Sequence, residues 1–559
     1  MFSKRQLPDD LDKVAPAKRL RENIADLYLS NEISAARAKS LYSDGILAEA
    51  QNLGGFKKIT KSSDKHIHRD LLRKLMKGSK WPSVYVAKVR AFDPKTQKKT
   101  RMRLPFFLPH EILATIADHQ CDTSKLYVTT SMSSSAEKHI ASSCLELQLD
   151  KAVGVGLWCD GVPCNWDRTE SLEIVTINLP GLEGSDSLLR IPITAMNKKF
   201  MVKFETYDDI LEIVAWSFQQ LLLGTHSSQR HDNTAFNKTD SKRAKMKGKP
   251  LNVTGVLCEV RGDWKMFKDI FRFPGWNELA GCCWRCRACP RHIRDAGSMS
   301  WWRKERMSHW DLLAVLAAKD SGLSPLFGVP GIRADIFSMD WLHTADLGVT
   351  QDFLGNLFKL VLPKLPGRSI RARCSSLFVE IQEFYKRNDT QSRLDNLTPT
   401  MICGDKKPPK LRSKAVETRS LVPFAVELSE KYLRDTNMTE KAAKEASKAL
   451  GLCYECLSCE KFSHEVLALN SKTFCLLYTA LEQNAKGKDW RVKPKMHLFQ
   501  EICEESESRP STCWTYRDED FGGTIAKISR RRGGKNTVYS TAFNVFNKFA
   551  AKNEVPILS

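Results

Sequence analysis

The chain has 559 residues, of which 42% are hydrophobic, and its formal net charge is +22. This length holds roughly two to four domains with buried cores, and the charge favours a polyanion such as nucleic acid or an anionic membrane surface. No apolar run approaches the length of a membrane span, and the start MFSKRQLPDD lacks the apolar segment of a secretory signal. We expect an intracellular polyanion-binding protein whose seventeen cysteines are reduced thiols or metal ligands. A basic protein with merely solvated lysines is the alternative.

The amino-terminal part begins with a nuclear-import candidate, Lys18–Arg21, which predicts a nuclear location. Residues 23–51 predict three short helices, with breaks at Ser30–Ser34 and at Asp44-Gly45 and with Ser34 as a helix cap. Such helices form either a helix-turn-helix that reads DNA or a small helical packing module.

A basic hairpin follows a helix predicted over 66–77. The runs Val84–Phe92 and Thr100–Leu104 flank a lysine-rich turn and read as two antiparallel strands. Its basic residues suit contacts to phosphate, although lysines also protect exposed sheet edges. They are Lys88, Arg90, Lys95, Lys98, Lys99, Arg101 and Arg103.

An α/β pattern starts near residue 146. Strands are predicted over 152–159, 172–179 and 189–195, and an amphipathic helix capped by Thr206 over 206–223. Residues 224–250, which include Lys242 and Arg243, read as a mobile insertion or DNA-facing loop. A strand that stops at Gly262-Asp263 and a helix with Trp264 and Phe267 at helical spacing come next.

The order is therefore three strands, a helix, a strand and a helix. The first strand ends at Asp160 and the fourth at Asp263. This is the order of the ribonuclease-H-like core, in which those two strands are neighbours and bring their carboxylates together. A turn or helix-cap role for each aspartate is the alternative reading.

The rest of the chain is mainly helical up to about residue 488 and then returns to the core. We predict a fold of the α/β class, a ribonuclease-H-like mixed sheet interrupted by a large helical insertion, with a small α+β amino-terminal domain. The predicted segments are 1–145, a basic accessory or DNA-binding domain; 146–290, the first part of the core; 291–488, the helical insertion; 489–535, the completion of the core with a third acidic residue; and 536–559, a tail.

Several ordered motifs resemble those of the DDE transposases of the CACTA (En/Spm) type, with a weaker likeness to hAT transposases. The matching pieces span roughly 150–530. They are C-D160-G, G-D263-W, C283-x-x-C286, D340-W-L-H343, K-P-K-M-H497-L and W-x-x-x-x-E519-D-F-G-G.

The resemblance implies that Asp160, Asp263 and Glu519 are the catalytic triad and hold Mg²⁺ or Mn²⁺. Hard oxygen ligands suit these ions, and a pair of them supports phosphoryl transfer. Because Asp518 and Asp520 flank Glu519, the third ligand is open by one position. The resemblance also implies a homo-oligomer on DNA.

The cysteine cluster predicts a structural Zn²⁺ site. Cys283, Cys286, Cys289 and His292 recur every three residues, but one short turn rarely supplies four ligands in good geometry. The resemblance offers His343 and Asp340 as distant partners of Cys283 and Cys286; these two could instead orient the scissile phosphate. Buried free thiols are the remaining alternative.

Aromatic and basic residues surround these motifs. Tryptophans crowd the region after Asp263 and either stack on an extruded base or pack in the core. They are Trp264, Trp276, Trp284, Trp301, Trp302 and Trp310. Lys493, Lys495 and His497, together with the run from Arg530 and Arg531 to Lys535, suit phosphate neutralisation.

The sequence thus predicts a DNA transposase, or a domesticated descendant, that cuts and joins DNA. The alternatives are a non-catalytic transposon-derived DNA-binding protein, a zinc-dependent scaffold without a DNA role, and an RNA nuclease on the same core. DNA is the expected partner, and no membrane is expected.

Overall fold

The structure is a computed structural model, which describes residues 16–50, 52–165, 167–182, 189–279, 281–295, 305–403, 407–485, 487–530 and 537–558. The fold is mixed α/β. The chain divides into two compact units: unit 1 contains residues 1–128, 150–256 and 517–559, and unit 2 contains 129–149 and 257–516. In unit 1 the amino-terminal region is therefore grouped with the strands after residue 150, whereas the sequence suggested a division at 145. Among the helices of the described residues, none is both long and apolar enough to cross a membrane.

The helices of the first half are α1 (Pro16–Leu29), α2 (Ala35–Leu47), α3 (Lys57–Thr60), α4 (Ile67–Leu75), α5 (Pro109–Ala117), α6 (Ser134–Glu146), α7 (Glu205–Leu223), α8 (Ser241–Met246) and α9 (Trp264–Phe271). Those of the second half are α10 (His309–Ala317), a π-helix (Leu342–Thr350), α11 (Gln351–Val361), α12 (Ile370–Arg387), α13 (Pro399–Ile402), α14 (Ala415–Ser420), α15 (Val422–Tyr432), α16 (Met438–Glu455), α17 (His464–Asn484), α18 (Pro494–Glu505), α19 (Tyr516–Ser529) and α20 (Val538–Lys552).

The strands form two sheets. They are β1 (Tyr85–Asp93), β2 (Lys98–Phe106), β3 (Val153–Pro163), β4 (Ser171–Asn178), β5 (Arg190–Asn197), β6 (Gly255–Gly262) and β7 (Phe337–Met339). The strands β1 and β2 are the predicted antiparallel hairpin. The other sheet has the order β5-β4-β3-β6-β7, with β3, β4 and β5 antiparallel and β6 parallel to β7. The expectation that the first and fourth strands of the core are neighbours is therefore confirmed.

In unit 1, helices pack on both faces of the strand pair β3 and β4. Along β3, the side chains alternate between the faces. On one face, Tyr207 of α7 donates a hydrogen bond to Glu173 of β4 (2.8 Å). Helix α19 lies on the other face, where Gly522 packs against Trp158 of β3. The β3 strand is buried through Cys159, as expected for a strand covered on both sides.

The amino-terminal helices α1 to α4 form a small core of their own around Tyr42, whose ring stacks on Phe56 with 4.1 Å between ring centroids. Ser34 caps α2 as predicted, because its hydroxyl accepts a hydrogen bond from the Arg37 amide. The expected stop at Asp44-Gly45 is wrong. Helix α2 continues to Leu47, and Gly45 is buried in close contact with Leu53.

Three further expectations are corrected in unit 1. Helix α7 begins at Glu205, and the Thr206 hydroxyl donates to the Arg90 carbonyl instead of capping the helix. The segment 224–250 contains helix α8 and buried ion pairs, so it is part of the packed structure. The expected tail contains α20, in which Phe546 packs on Phe107 at 4.4 Å between ring centroids.

In unit 2, an aromatic core joins α9 to β7. Phe267 and Phe271 of α9 pack against Phe273, Trp284 and Phe337. The helical region surrounds the π-helix, which contacts α11, α14 and α18. A π-helix of nine residues is rare, and such segments occur frequently at functional sites.

Candidate functional site

Asp160 lies near the end of β3, on the face of the sheet that α19 covers. It shares this face with Trp158 and Val162, because alternate residues of a strand point the same way. Its Oδ1 accepts a hydrogen bond from the Gly161 amide at 2.6 Å. The carboxylate is only half-buried, in contrast to the fully buried residues that precede it on the strand.

Helix α19 approaches this face closely because position 522 is a glycine. A Cβ atom on Gly522 would lie 2.7 Å from Trp158 and 3.0 Å from Val162, the two residues that flank Asp160 on the face. Glu519 precedes Gly522 by one helical turn and therefore lies on the same side of the helix. The contact thus places the part of α19 that contains Glu519 next to the sheet face that contains Asp160.

The three consecutive acidic residues in α19 lie in different environments. Asp518 is buried and forms an ion pair with Arg190 of β5, with 2.7 Å between Oδ1 and Nε. Asp520 is exposed, whereas Glu519 is half-buried. Because Asp518 is already paired with the buried Arg190, Glu519 is the best candidate of the three to hold a cation together with Asp160.

Asp263 follows β6 directly and caps helix α9. Its Oδ1 accepts a hydrogen bond from the Met266 amide at 2.6 Å. The helix-cap reading is therefore correct for this residue, but it does not exclude a further role, since a carboxylate has several acceptor positions. Asp263 also lines a cavity of about 370 Å³ in unit 2.

Four lysines line the same cavity, and one of them, Lys265, pairs with Asp269 (2.8 Å). The Lys495 ammonium donates to the His343 carbonyl (2.5 Å), and Lys493 forms an ion pair with Asp352 (2.6 Å). Lys410 is largely buried, and burial together with the charge of Lys493 lowers its pKa. Burial and the charge of Lys410 likewise lower the pKa of Lys495, against the opposing effect of Asp263. The cavity therefore concentrates positive charge beside a candidate catalytic carboxylate.

Asp340 and His343 form a pair of their own at the start of the π-helix. The Asp340 Oδ2 lies 2.6 Å from His343 Nδ1 and also accepts from the His343 amide. Its Oδ1 accepts from the amides of Leu342 and Thr515. Burial raises the pKa of Asp340, but these hydrogen bonds and the His343 charge outweigh it and hold the pKa below its ordinary value.

The cysteine pair meets a different histidine from the one expected. Ligand atoms of Cys283, Cys286 and His497 lie within 4.8 Å of one another, and all three residues are buried. The Cys286 sulfur is 3.4 Å from His497 Nε2, and the Arg285 amide donates to the Cys283 sulfur. Two thiols and an imidazole at this spacing are three of the four ligands of a tetrahedral Zn²⁺ site.

The nearby residues Cys289 and His292 contact each other, with 3.6 Å between the sulfur and Nδ1. Asp340 and His343, which the family resemblance offered, are not in the metal-ligating group found among the described residues. The histidine that joins the pair is His497. The sequence contained it in the K-P-K-M-H497-L motif, but nothing in that motif pointed to the cysteines.

The basic residues predicted to contact DNA have different environments. Arg90 pairs with Asp209, and Arg243 is buried between Glu111 and Asp240. Arg243 therefore stabilises the fold of unit 1 and is withdrawn from the phosphate-contacting set. Arg530 donates to the Cys164 carbonyl. Lys88, Lys98, Arg101 and Lys242 are exposed, and Arg531 lies outside the described residues.

The tryptophans divide between core and surface. Trp264 and Trp284 are buried in the aromatic core of unit 2. Trp276 is 42% exposed and lines the cavity with Asp263, and Trp310 is 76% exposed. Trp301 and Trp302 lie outside the described residues.

The sequence did not indicate a buried polar group that is centred on Asp346 of the π-helix. Asp346 accepts hydrogen bonds from the hydroxyls of Tyr454 and Tyr516, both at 2.6 Å. Burial raises the pKa of Asp346 to about 7, although the two tyrosines and Arg419 oppose the shift. No local sequence pattern marks this group, because its members come from three separate helices.

Searches of protein-family models and of curated proteins find no match to this sequence.

Proposed function

We propose that the protein is a DNA transposase, or a descendant of one, that cuts and joins DNA with a DDE-type active site on a ribonuclease-H-like core. The observation that carries the proposal is the close packing of α19 on β3, in which Gly522 fits between the side chains that flank Asp160. The helix that contains the late acidic residue Glu519 thereby packs on the sheet face that carries the early acidic residue Asp160. The strand order also agrees with such a core.

In this proposal Asp160, Asp263 and Glu519 hold two divalent cations. Their carboxylates are hard oxygen donors, the ligands that Mg²⁺ and Mn²⁺ prefer. When bound, the cations supply activation of the attacking water or 3′-hydroxyl and stabilisation of the leaving oxygen. The chain's own contribution is to fix the carboxylates: α19 is held by the Asp518–Arg190 pair, and Asp263 by its cap of α9.

We propose a structural Zn²⁺ at Cys283, Cys286 and His497. The sulfur and nitrogen donors fit this ion, and His497 is far in sequence from Cys283 and Cys286, so a bound ion would cross-link the loop after α9 to α18. The residue Lys495 lies two positions before His497 on the same helix. The zinc site would therefore also fix the position of a lysine that lines the cavity beside Asp263.

The second candidate is a non-catalytic DNA-binding protein that kept this fold. The exposed basic hairpin favours it, since Lys88, Lys98 and Arg101 are accessible for phosphate contacts. The same surface serves the transposase, so DNA binding alone does not separate the two candidates.

Cleavage separates them. The full chain is incubated with supercoiled plasmid and short duplexes in Mg²⁺, Mn²⁺ or EDTA, and nicked and joined products are resolved on gels. The variants are Asp160→Asn, Asp263→Asn and Glu519→Gln, with Asp520→Asn as the matched control. We expect metal-dependent products that the first three variants lose and the control keeps, while all of them still bind DNA. A wild-type protein that binds DNA and yields no product with either metal would support the non-catalytic candidate.

A further inference from the structure

The cavity beside Asp263 has the size of a ligand site. Its volume of about 370 Å³ lies within the range of small-molecule pockets, roughly 300–1,000 Å³. Its walls come from α9 and the loop after it, the π-helix, α11, the segment before α14 and the start of α18. All of these elements belong to unit 2, so the cavity is formed by one compact body.

One side of the cavity presents three lysine ammonium groups. Each has three N–H donors, of which one is given to the protein: Lys410 donates to the Leu347 carbonyl (2.9 Å), Lys493 to Asp352 and Lys495 to the His343 carbonyl. An ammonium group that gives one hydrogen bond to the protein has the capacity for two more. Two carboxylates, Asp263 and Asp352, also line the cavity, so the lysines outnumber the carboxylates there and a bound anion would reduce the repulsion among the ammonium groups.

The backbone of the π-helix makes room for this arrangement. A Cβ atom on Gly348 would lie 2.7 Å from Cδ of Lys495, so the lysine side chain passes directly over the glycine. The carbonyl that Lys495 reaches, that of His343, belongs to the same π-helix. The lysine chain is therefore held along the cavity wall, with its ammonium group fixed.

The other side of the cavity is aromatic. Trp264 is buried and anchored by a hydrogen bond from its Nε1 to the Pro274 carbonyl (2.9 Å). Trp276 meets it edge to face at 6.0 Å between ring centroids and remains 42% exposed. Lys268 lies 4.8 Å from the centroid of the Trp276 ring. A large exposed indole held by a second indole is a platform for a planar ligand.

We propose that this cavity binds one unpaired nucleotide, with its base against Trp276 and its phosphate on the ammonium groups of Lys410, Lys493 and Lys495. An aromatic face for the base and fixed cations for the backbone are the two elements of single-strand recognition. The nucleotide comes either from a nucleic acid strand or from a free nucleotide, which share this chemistry. The inference rests on the proposed function in one respect: the location of the bound nucleotide next to the bond that is cut.

The test measures binding without catalysis. Fluorescence anisotropy in EDTA compares two labelled DNAs that have the same duplex, one blunt and one with three unpaired thymidines at an end. We expect the full-length wild-type protein to bind the forked DNA about ten-fold more tightly, the effect of stacking a single base. Trp276→Ala should remove this preference and leave the blunt duplex affinity unchanged, while the matched control Trp310→Ala should keep it.

The lysine side of the cavity is tested in the same assay. Lys410→Gln and Lys493→Gln should each weaken forked DNA binding and lower its salt dependence by about one ion, since each removes one phosphate contact. Lys386→Gln, an exposed lysine on α12, is the charge-matched control. Circular dichroism melting of each variant separates lost binding from lost folding.

Competition identifies the source of the nucleotide. If millimolar thymidine monophosphate displaces forked DNA and inorganic phosphate does not, the cavity takes a free nucleotide; if neither competes, it takes only a strand. Equal binding of forked and blunt DNA by the wild type, or an equal effect of Trp276→Ala on both, overturns the inference. Either result leaves the proposed cleavage untouched. A Trp276-dependent preference in a protein that never cuts DNA would refute the cleavage proposal alone.

Discussion

Asp518 and Arg190 form a buried ion pair, with 2.7 Å between Oδ1 and Nε, that ties helix α19 to strand β5. This pair separates two neighbouring acidic residues by role. Asp518 holds the helix on the sheet, whereas Glu519, one position further, is half-buried. Three consecutive acidic residues that are equivalent in the sequence thus have three different environments in the fold.

Neutralising these neighbours should have opposite effects on stability and activity. Asp518→Ala leaves Arg190 buried without its carboxylate, which costs about 3–5 kcal/mol of unfolding free energy. Glu519→Gln keeps the size of the side chain and should change stability by less than about 1 kcal/mol while abolishing metal-dependent cleavage. Urea denaturation and the cleavage assay measure both quantities. A stable Asp518→Ala protein would show that the pair does not hold the helix.

The contact between Gly522 and Trp158 predicts an intolerance to one methyl group. Gly522→Ala would place a Cβ atom 2.7 Å from the indole, and overpacking of this kind costs about 1–3 kcal/mol. Gly523→Ala is a matched control, because among the described residues no atom outside the helix's own neighbouring backbone lies within 4 Å of its Cβ position, and alanine favours a helix by about 1 kcal/mol over glycine. Thermal denaturation should therefore show a lower melting temperature for the first variant and an unchanged or higher one for the second. Equal shifts would contradict the close approach of α19.

The sequence predicts the strands well because the local pattern of hydrophobic residues indicates their burial. The β-branched run that ends near Asp160 and the alternating hairpin need no distant information. Local pattern also explains why the predicted end of α2 is wrong. Gly45 looks like a helix stop in its local context, whereas its contact with Leu53, a residue outside the helix, favours continuation of the helix.

Contacts between residues that are distant in sequence are the main feature that the sequence does not predict. The cysteine pair was identified from spacing alone, but the choice of His497 over His343 depends on how α18 packs, which no local pattern encodes. Arg243 and Lys242 are both basic residues in a polar segment, yet Glu111, more than a hundred residues earlier, buries one of them. Charge patterns predict that a surface is basic, but they do not predict which cations remain on it.

Metal analysis distinguishes the zinc ligands proposed from the structure, which include His497, from the set suggested by the sequence, which includes His343. We expect about one zinc per chain by plasma mass spectrometry after dialysis. Cys286→Ala and His497→Ala should lose this zinc and lower the melting temperature, because the ion joins two distant segments. His343→Ala and the exposed Cys459→Ala should retain it. Loss of zinc in His343→Ala would restore the ligand set that the sequence suggested.

Asp346 predicts a pH dependence of stability. Its pKa is raised from 3.8 to about 7, so the native state binds more protons than the unfolded chain between these values. Stability contributed by the protonated group is therefore complete below about pH 4 and falls as the pH rises towards 7, by up to roughly 4 kcal/mol.

Asparagine at this position keeps the shape, accepts from one of the hydroxyls of Tyr454 and Tyr516 through its carbonyl oxygen, and can donate its amide N–H to the other. Asp346→Asn should thus flatten the stability profile between pH 4 and 7 and be more stable than the wild type at pH 8. Urea midpoints across this pH range provide the measurement, with the exposed Asp320→Asn as the control that keeps the wild-type slope. A variant whose profile parallels the wild type would assign the pH dependence to other groups.

Lys242 and Arg243 are adjacent cations with separate tasks, and substitution should separate them. Lys242 is exposed, so Lys242→Ala should leave the unfolding free energy within about 0.5 kcal/mol of the wild type. If the residue contacts phosphate, the salt dependence of DNA binding falls by about one ion.

Arg243→Ala should instead destabilise unit 1. It leaves Glu111 buried without its guanidinium partner, a loss of about 3–5 kcal/mol, while Asp240 keeps its ion pair with Arg230. Any weakening of DNA binding should then follow unfolding and vanish at low temperature, where the variant is folded. Anisotropy and melting curves on the same samples measure both effects. A folded Arg243→Ala protein with a reduced salt slope would return this residue to the DNA-contacting surface, because only a cation that reaches phosphate changes the number of counterions released.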